Sequence, residues 1–336
     1  MAGKLSLDEF QKLLSHFTAE HIAVCVPEGN NGDKLICLGL EKFLRNTGLF
    51  YSKFQSSAVR FSTETGDSNS LSKIACITKK SIEKLNDFTQ FTSVLSDSIN
   101  RINHLIAEPQ FFPRNMAPVI LINGGGNIND FYAAGRSFVL KILEANPNSE
   151  IIIAPETFYF SKKSPFISVL ARSSQKIHIF CRERYSYSLM TSFKLPSNFH
   201  VYLSPDTAFY LSAVDFVKKG LVSPCTGRIY DLVCLRTDKE AVISRVTLTK
   251  KIQRQSAIIK DISEFASFQE YVSSVMWARK IYTDRLHVAI LGHILGKDVY
   301  LFPNVYYKNK AVFEYSLIDN PRVSFVSRPE ADSFRL

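Results

Sequence analysis

The sequence contains no long apolar run and no cysteine pattern of the kind that binds metal. No stretch approaches the ~18 consecutive apolar residues that a membrane-spanning helix requires. The six cysteines are widely spaced without a CxxC pair, and the seven histidines do not cluster. We therefore expect no membrane span and no metal site. Buried free thiols and a reducing compartment are the expected state of the cysteines.

Sequence signatures of nucleotide and nucleic-acid binding are also missing. The chain has no P-loop, no GxGxxG, and no zinc-finger, homeodomain or RNP-like pattern. The formal charge is +10, from 41 basic and 31 acidic residues, but the basic residues are scattered. Such a surplus favours anionic partners, either phosphate-bearing substrates or an acidic membrane surface, and we expect no nucleic-acid partner.

Apolar residues are plentiful enough for a large core. Hydrophobic residues make up 46% of the 336 residues, which excludes wholesale disorder and leaves room for two α/β domains. Short apolar runs predict buried parallel strands at residues 21–27, 73–78, 118–123, 150–154, 176–181 and 200–203. Helices are predicted between them, including one over residues 82–106 and an N-terminal one over 6–19 with Ser6 and Glu9 as a capping box.

A second α/β series follows a break in this pattern near residues 218–226, where glycine, proline and polar residues gather. Its predicted strands are 231–235, 257–262, 280–282 and 299–302, and its predicted helices include 238–245, 263–276 and 311–317. We predict a Rossmann-like domain over residues 1–217, a linker over 218–228 and a second Rossmann-like domain over 229–336. Two such doubly wound domains in tandem would face each other across a cleft.

Two glycine loops follow predicted strands, at residues 29–32 and 124–126. Loops after parallel strands open on one edge of a sheet, where ligands bind. Consecutive glycines are costly in chain entropy, so either a close backbone approach to a ligand or a tight turn without a ligand explains them. Arg182 and Arg184 follow the strand at 176–181 and are predicted to lie at the same edge.

The stretch from Tyr282 to Gly296 predicts a short strand, a turn and an apolar helix. Thr283 and Asp284 are good N-cap residues, which places Arg285, Leu286 and His287 in the first helical turn. Free backbone N–H groups and the positive end of the helix dipole make this an anion site, to which Arg285 adds a bidentate fork. Histidine is the side chain that exchanges its proton near neutral pH. The alternative is that these polar residues are only solvated.

Five motifs in this order resemble the polysaccharide pyruvyltransferase family. They are GNNGDKLI at 29–36, INGGGNIND at 122–130, FCRERYSYSL at 180–189, SPDTAF at 204–209 and TDRLHVAILGHILGKDVYLFPNVYYKN at 283–309. The last is the most specific, because a TDRLH turn before a helix, a strand and a tyrosine-rich loop is much rarer than a glycine loop. The resemblance covers residues 21–317, most of the chain.

The resemblance implies a GT-B-like enzyme that takes phosphoenolpyruvate as donor. It would place the pyruvyl group as a cyclic ketal on two hydroxyls of a sugar, of which galactose is one candidate, and release phosphate without a metal or other cofactor. Matching motifs place Arg182, Arg285, Leu286 and His287 at the donor. Arg184 joins this donor set through its position after the same strand as Arg182. Asn30, Asp33 and Asn127 would line the facing side of the cleft.

Chemistry gives some of these residues separate roles. Ketal formation needs a proton at the methylene carbon of the donor, for which we assign His287 as the acid, with Arg285 as the anion-binding partner. Asp33 and Glu156 are candidate bases or acceptors of sugar hydroxyls, and a helix cap or a loop hydrogen bond accounts for each equally well. The sequence departs from the family at Asn129, where glycine is usual, and at Glu156, where glutamine is common.

Two alternatives stay open from sequence alone: a GT-B glycosyltransferase that uses a nucleotide sugar, and a non-catalytic relative that binds glycans or anions. The expected partners are phosphoenolpyruvate and a saccharide acceptor, either free or lipid-linked. We expect a cytoplasmic location, with the charge of +10 allowing contact with the inner face of the membrane.

Overall fold

Two parallel β-sheets organise the chain. The computed structural model describes residues 8–27, 29–55, 114, 116–161, 164–224, 230–243, 257–264 and 267–327. The predicted strand at 73–78 and helix at 82–106 lie outside these residues, as does part of the predicted linker. Both sheets belong to one compact unit formed by residues 1–55 and 113–336. The domain boundaries proposed above remain a prediction.

The first sheet has six described strands in the order β2-β1-β3-β4-β5-β6, all paired in parallel. They are β1 (Ile22–Val26), β2 (Tyr51–Gln55), β3 (Val119–Ile122), β4 (Glu150–Glu156), β5 (Ile177–Cys181) and β6 (Phe199–Leu203). The helices of this half are α1 (Glu9–Leu14), α2 (Asn31–Asn46), α3 (Ala133–Ala145), α4 (Pro165–Leu170), α5 (Arg184–Ser192) and α6 (Ala213–Lys218). Strands β1 and β3 are buried at every residue because helices cover both faces of the sheet.

The second sheet repeats the same arrangement with five described strands in the order β8-β7-β9-β10-β11. They are β7 (Tyr230–Cys234), β8 (Ala257–Ile259), β9 (Ala278–Thr283), β10 (Asp298–Leu301) and β11 (Val323–Phe325). Helices α7 (Phe268–Met276), α8 (Leu286–Ile294) and α9 (Lys308–Val312) accompany them, and α9 continues as a π-helical turn at Phe313–Leu317. The predicted α/β fold with two Rossmann-like domains, consistent with a GT-B-like arrangement, is confirmed.

In each sheet the strand order reverses beside the first strand of the series. This switch point lies between β1 and β3 in the first sheet and between β7 and β9 in the second. Open α/β sheets bind ligands at such points, beyond the carboxyl ends of the strands. The two glycine loops follow β1 and β3, and Arg236 and Arg285 lie just after β7 and β9.

One apolar cluster joins the two halves. Leu35 of α2 and Ala208 of the 3₁₀ turn at Thr207–Tyr210 belong to the same buried cluster as Leu286 and Val288 of α8. Burying side chains of this size removes roughly 1.5–3 kcal/mol of unfavourable hydration each. This packing brings the N-terminal ends of α2 and α8 together.

Three predicted helix starts were wrong. Residues 238–243 form turns rather than a helix, because the Asp238 carboxylate accepts the Glu240 N–H at 3.0 Å and holds a tight turn. The N-terminal helix starts at Glu9 with a capping box from Asp8 and Gln11, whereas Ser6 lies outside the described residues. Arg285 is the N-cap of α8 and not part of its first turn.

The described helices include none that is long and apolar enough to cross a membrane. Cys25, Cys37, Cys181 and Cys234 are free and buried, as the sequence predicted for the cysteines. Burial raises the pKa of the Cys25 thiol to about 12, so this side chain behaves as a small apolar group.

Candidate active site

The start of α2 lies against His287. The Asn30 side chain caps this helix by accepting a hydrogen bond from the Gly32 N–H at 2.7 Å. The Asp33 carboxylate in turn accepts a hydrogen bond from the Asn30 N–H at 2.8 Å. A Cβ atom on Gly32 would lie 2.7 Å from Nδ1 of His287. The absence of a side chain at Gly32 is therefore what lets the imidazole reach the helix start.

Glu156 contacts the backbone of the second glycine loop. Gly125 has φ +151°, a conformation that favours glycine, and its backbone pairs with that of Glu156. The buried Glu156 carboxyl accepts the Ile128 N–H at 3.0 Å. Burial raises its pKa to about 8, although the Arg182 charge opposes the shift. Glu156 thus positions the loop through these two backbone contacts.

Arg182, immediately after β5, is fully buried and makes two directed hydrogen bonds and one further close contact. Its Nε donates to Thr157 Oγ1 at 2.7 Å, and its Nη1 donates to Asp206 Oδ2 at 2.7 Å and lies 3.3 Å from His287 Nε2. A Cβ on Gly126 would lie 3.1 Å from Nη2, so the glycine loop passes directly over the guanidinium. The Asp206 and Glu156 charges outweigh burial and raise the pKa of Arg182.

Asp206 connects Arg182 to His287. Its Oδ2 lies 3.3 Å from Nε2 of His287, and its Oδ1 accepts the Ala208 N–H at 2.9 Å. Burial alone would raise the pKa of Asp206, but His287, Arg182 and the Ala208 N–H together lower it. A carboxylate beside Nε2 favours the tautomer with a proton on that nitrogen, and Nδ1 then lies on the side of Gly32.

The loops after β7 and β9 bring two arginines together. Arg236 binds Asp238 through Nε at 2.7 Å and Nη2 at 2.9 Å, and Arg285 Nη1 donates to the same carboxylate at 3.1 Å. Arg285 also forms an ion pair with the half-buried Asp261. Thr283 Oγ1 accepts the Arg285 N–H while Asp284 accepts the Arg236 N–H, so neither of these side chains caps α8.

Glu240 and Lys308 form a second buried charge pair. Lys308 Nζ lies 2.5 Å from Glu240 Oε2, and Glu240 also accepts from Arg236 Nη1 at 2.7 Å and from Tyr132 Oη at 2.6 Å. Burial lowers the pKa of Lys308 to about 8, although Glu240 opposes the shift. The pKa of Glu240 is lowered to about 2, because Lys308 and Arg236 outweigh the effect of burial.

These side chains line one cavity, which encloses about 510 Å³ including open solvent at its mouth. Its walls come from both halves of the chain: Asn30, Gly32, Asp33, Gly126, Asn127, Tyr132, Arg182, Arg236, Glu240, Ser263, Arg285, Leu286, His287 and Lys308. The described residues contain no group of three or more His, Cys, Asp or Glu side chains placed to hold a metal ion.

Most of the residues proposed from sequence line this cavity. Seven are brought together there: Asn30, Asp33, Asn127, Arg182, Arg285, Leu286 and His287. Glu156 lies beneath the glycine loop rather than in the wall of the cavity, and Arg184 is exposed with its guanidinium 5.7 Å from the Tyr315 ring. The geometry therefore gives Arg184 no contact with the cavity.

Sequence reasoning did not find Arg236, Glu240, Lys308 or Tyr132. Arg236 had a usable signal, since it follows a predicted strand just as Arg182 does. Lys308 lies in the last motif quoted above but was given no role. Glu240 was hidden inside a predicted helix that does not form.

Two Rossmann-like domains, in an arrangement consistent with GT-B-like proteins, place a cation-rich cavity at both switch points. This chain belongs to the polysaccharide pyruvyl transferase family, whose model matches residues 30–304. It is 26% identical over 235 residues to a Bacillus subtilis (strain 168) protein named "Putative pyruvyl transferase EpsO", covering 61% of this chain and 72% of that one.

A crystal structure of a functionally uncharacterized protein from Klebsiella pneumoniae subsp. pneumoniae NTUH-K2044 shares the fold. Its TM-score is 0.61 at 21% identity, and the match covers 95% of this chain and 97% of that one. The resemblance drawn from the five motifs is thus confirmed at the level of the family. The protein is a transferase that places pyruvyl groups on polysaccharide.

Proposed function

We propose that the protein transfers the pyruvyl group of phosphoenolpyruvate to two hydroxyls of one sugar in a polysaccharide, forming a cyclic ketal and releasing phosphate. The observation that supports this donor is the convergence of Arg182, Arg236, Arg285 and Lys308 on one small cavity. Phosphoenolpyruvate carries a carboxylate and a phosphate, and guanidinium groups bind both through bidentate hydrogen bonds.

The reaction needs a proton donor and two attacking hydroxyls, and no metal or other cofactor enters the scheme. The acid protonates the methylene carbon, and the neighbouring carbon becomes electrophilic. One sugar hydroxyl forms a C–O bond there, and its proton restores the acid. The bond from that carbon to the phosphate oxygen then breaks, and the second hydroxyl forms the other C–O bond as its proton passes to phosphate.

His287 is the group best placed to be the acid. It lies in the cavity wall with Nε2 toward Asp206, which leaves Nδ1 as the exchanging nitrogen. The orientation of one ring nitrogen by a carboxylate is the arrangement that fixes a catalytic imidazole in other enzymes. In this scheme Arg182, bound to the same carboxylate, would hold the leaving phosphate.

The test is phosphate release from phosphoenolpyruvate with a panel of methyl galactosides, glucosides and N-acetylmannosaminides, in buffer containing a chelator. Acceptor-dependent release, with the ketal found in the product by NMR, is the expected result. Tight binding of nucleoside diphosphates without release from phosphoenolpyruvate for any sugar would instead support a nucleotide-sugar glycosyltransferase. Release that stops in chelator would refute the metal-free scheme.

The cations of the cavity are already paired with carboxylates, and one of these is easier to displace than the others. The Asp238 side chain is 37% exposed, whereas Asp206 and Glu240 are buried and the Asp261 side chain is only 9% exposed. The Asp238 carboxylate therefore accepts hydrogen bonds from Arg236 and Arg285 in the way that a carboxylate or phosphate of the donor would. A bound donor would replace this internal anion.

We expect Asp238→Asn to lower KM for phosphoenolpyruvate about two- to five-fold. The substitution keeps the shape but removes the competing charge, and a half-exposed ion pair contributes roughly 0.2–1 kcal/mol. Steady-state kinetics at constant acceptor would measure the change. Asp231→Asn is the matched control, because Asp231 binds Arg279 in the same bidentate way without lining the cavity. A raised KM in Asp238→Asn would show that Asp238 positions the arginines instead.

The affinity for phosphoenolpyruvate is expected to fall above pH 8. Lysine ordinarily loses its proton near pH 10.4, so the lowered pKa of Lys308 means that its charge is present below about 8 and lost above it. KM for the donor measured from pH 7 to 9.5 should therefore rise, and the rise should be absent in Lys308→Arg. The same substitution at Lys310, which is exposed on the same helix, should leave the pH profile unchanged. A flat profile in the wild type would exclude Lys308 as a donor ligand.

A further inference from the structure

Five aromatic rings form a continuous group beside the cavity. Phe131 follows the second glycine loop, Tyr159 follows β4, Tyr185 lies in the first turn of α5, and Tyr306 and Tyr307 precede α9. We call these five residues the aromatic surface. Three come from the first half of the chain and two from the second.

The rings contact one another in series. The Tyr306 ring centroid lies 4.9 Å from that of Tyr159 and 5.4 Å from that of Phe131, while Phe131 and Tyr159 stack at 5.3 Å. Tyr159 reaches Tyr307 at 5.7 Å, and Tyr307 stacks on Tyr185 at 5.2 Å. Such pairs hold each ring in a fixed orientation.

The inner end of the series borders the cavity. Lys308 Nζ, which belongs to the cavity wall, lies 5.2 Å from the Tyr306 ring centroid. The Tyr306 hydroxyl faces Gly126, where an added Cβ would lie 3.8 Å away. Tyr306 is only 7% exposed, and its hydroxyl has no hydrogen-bond partner within the described part of the chain. A buried hydroxyl without a partner is costly, so a ligand group at this point would satisfy it.

The outer end of the series is open. Tyr185 is 43% exposed, and Phe131, Tyr159 and Tyr307 are half-buried. If the rings served only to pack the two halves together, we would expect them to be covered. Apolar faces combined with tyrosine hydroxyls suit a sugar ring, whose C–H face is apolar and whose edge carries hydroxyls.

We propose that the aromatic surface binds the saccharide acceptor, with its sugar at the Tyr306 end entering the cavity and further sugars extending toward Tyr185. The inference rests on the proposed function, because the acceptor hydroxyls must reach the donor carbon in the cavity. The aromatic surface is continuous with the cavity wall at Lys308 and Gly126. An uncharged glycan needs no counter-ion at the outer rings, whereas the cations serve the anionic donor.

Tyr185→Ala tests the proposal at the exposed end, where loss of the ring should not disturb folding. We expect KM for a tetrasaccharide acceptor to rise about two- to twelve-fold, the range of one aromatic contact of roughly 0.5–1.5 kcal/mol. KM for phosphoenolpyruvate should stay unchanged, and Tyr185→Phe should restore most of the acceptor affinity. Tyr187→Ala is the matched control, since Tyr187 is also exposed but lies two residues along α5 and so on another face.

Saturation-transfer NMR on the same tetrasaccharide separates this inference from the proposed function. If wild type binds the sugar and Tyr185→Ala weakens that binding, the surface is assigned even where phosphate release from phosphoenolpyruvate is never seen. Equal binding by wild type and Tyr185→Ala, with or without turnover, would overturn the assignment. Weakened binding of uridine but not of the saccharide would overturn it too, in favour of a nucleobase site.

Discussion

His287→Ala is expected to lower kcat for acceptor-dependent phosphate release about 10²- to 10⁴-fold, the usual contribution of a positioned acid. The fold should survive, because the side chain is partly exposed in the cavity and its Nε2 is as far as 3.3 Å from both Asp206 Oδ2 and Arg182 Nη1. KM for phosphoenolpyruvate should change much less than kcat, since the proton moves only in the transition state.

His293→Ala is the matched control for this experiment. His293 lies on the same helix, but its Nδ1 is 2.5 Å from Asn320 Nδ2 and its ring packs edge-on against Phe209. Its loss should leave kcat near that of the wild type. A His287→Ala variant with normal turnover and normal circular dichroism would remove the imidazole from the mechanism. The proton would then have to come from Lys308 or from solvent.

The local pattern of the sequence was sufficient to place the first half of the site. Buried branched strands, each followed by a glycine loop or an arginine, predicted which residues meet at the carboxyl edge of the sheet, and Asn30, Asn127 and Arg182 do line the cavity. The prediction succeeded because the parallel arrangement itself brings the ends of β1, β3 and β5 to one edge.

The second half of the site was harder to predict from the sequence, because its geometry depends on pairing between distant residues. Asp238 and Glu240 were assigned to a helix, and only the arginine at 236 shows why they form a turn. Long-range ion pairs of this kind leave no periodic signal in the chain. Arg285 was predicted to offer a bidentate fork to a phosphate or carboxylate, and in the structure the carboxylates of Asp261 and Asp238 already contact its guanidinium.

Burial also changed the expected chemistry of single residues. Glu156 was a candidate base or acceptor of sugar hydroxyls, with a loop hydrogen bond as the equal alternative, and its burial beneath Gly125 and its bond from the Ile128 N–H agree with the loop role. Arg184 is separated from Arg182 because α5 starts at this residue and directs the side chain toward Tyr315. Two residues of the same strand-end motif therefore lie in opposite environments, which spacing alone does not show.

Asp206→Asn is expected to lower the free energy of unfolding by about 3–5 kcal/mol, the usual result of removing one partner from a buried ion pair. Both partners are inaccessible to solvent, and Arg182 Nη1 would lose the carboxylate 2.7 Å away. Asparagine can still accept a hydrogen bond from the Ala208 N–H, so the cap of the 3₁₀ turn is kept. The decrease in the free energy of unfolding therefore measures the loss of the Asp206 charge. Urea unfolding of the wild type and the variant would measure it.

The surface pair of Asp298 and Arg322 supplies the matched control. Its oxygen and nitrogen lie 3.1 Å apart with both side chains largely exposed, so Asp298→Asn should cost less than about 1 kcal/mol. If Asp206→Asn and Asp298→Asn lowered the free energy of unfolding equally, the buried ion pair would contribute no more to stability than the exposed one. If Asp206→Asn fails to fold, the double variant Arg182→Leu with Asp206→Leu should recover a folded, inactive protein, because it leaves no buried charge unpaired.

The contribution of the Asp206 carboxylate to the free energy of unfolding depends on pH, because the pKa of Asp206 is lowered in the folded protein. Burial raises that pKa, but His287 and Arg182 outweigh burial, so the carboxylate is charged in the folded protein below the ordinary value near 3.9. Its contribution to stability is present above pH 3.9 and is lost as the pH falls through the lower, folded value. The difference between wild type and Asp206→Asn should therefore be the same at pH 7 and pH 5 and shrink only in stronger acid. A difference that vanished between pH 7 and pH 5 would contradict the lowered pKa of Asp206.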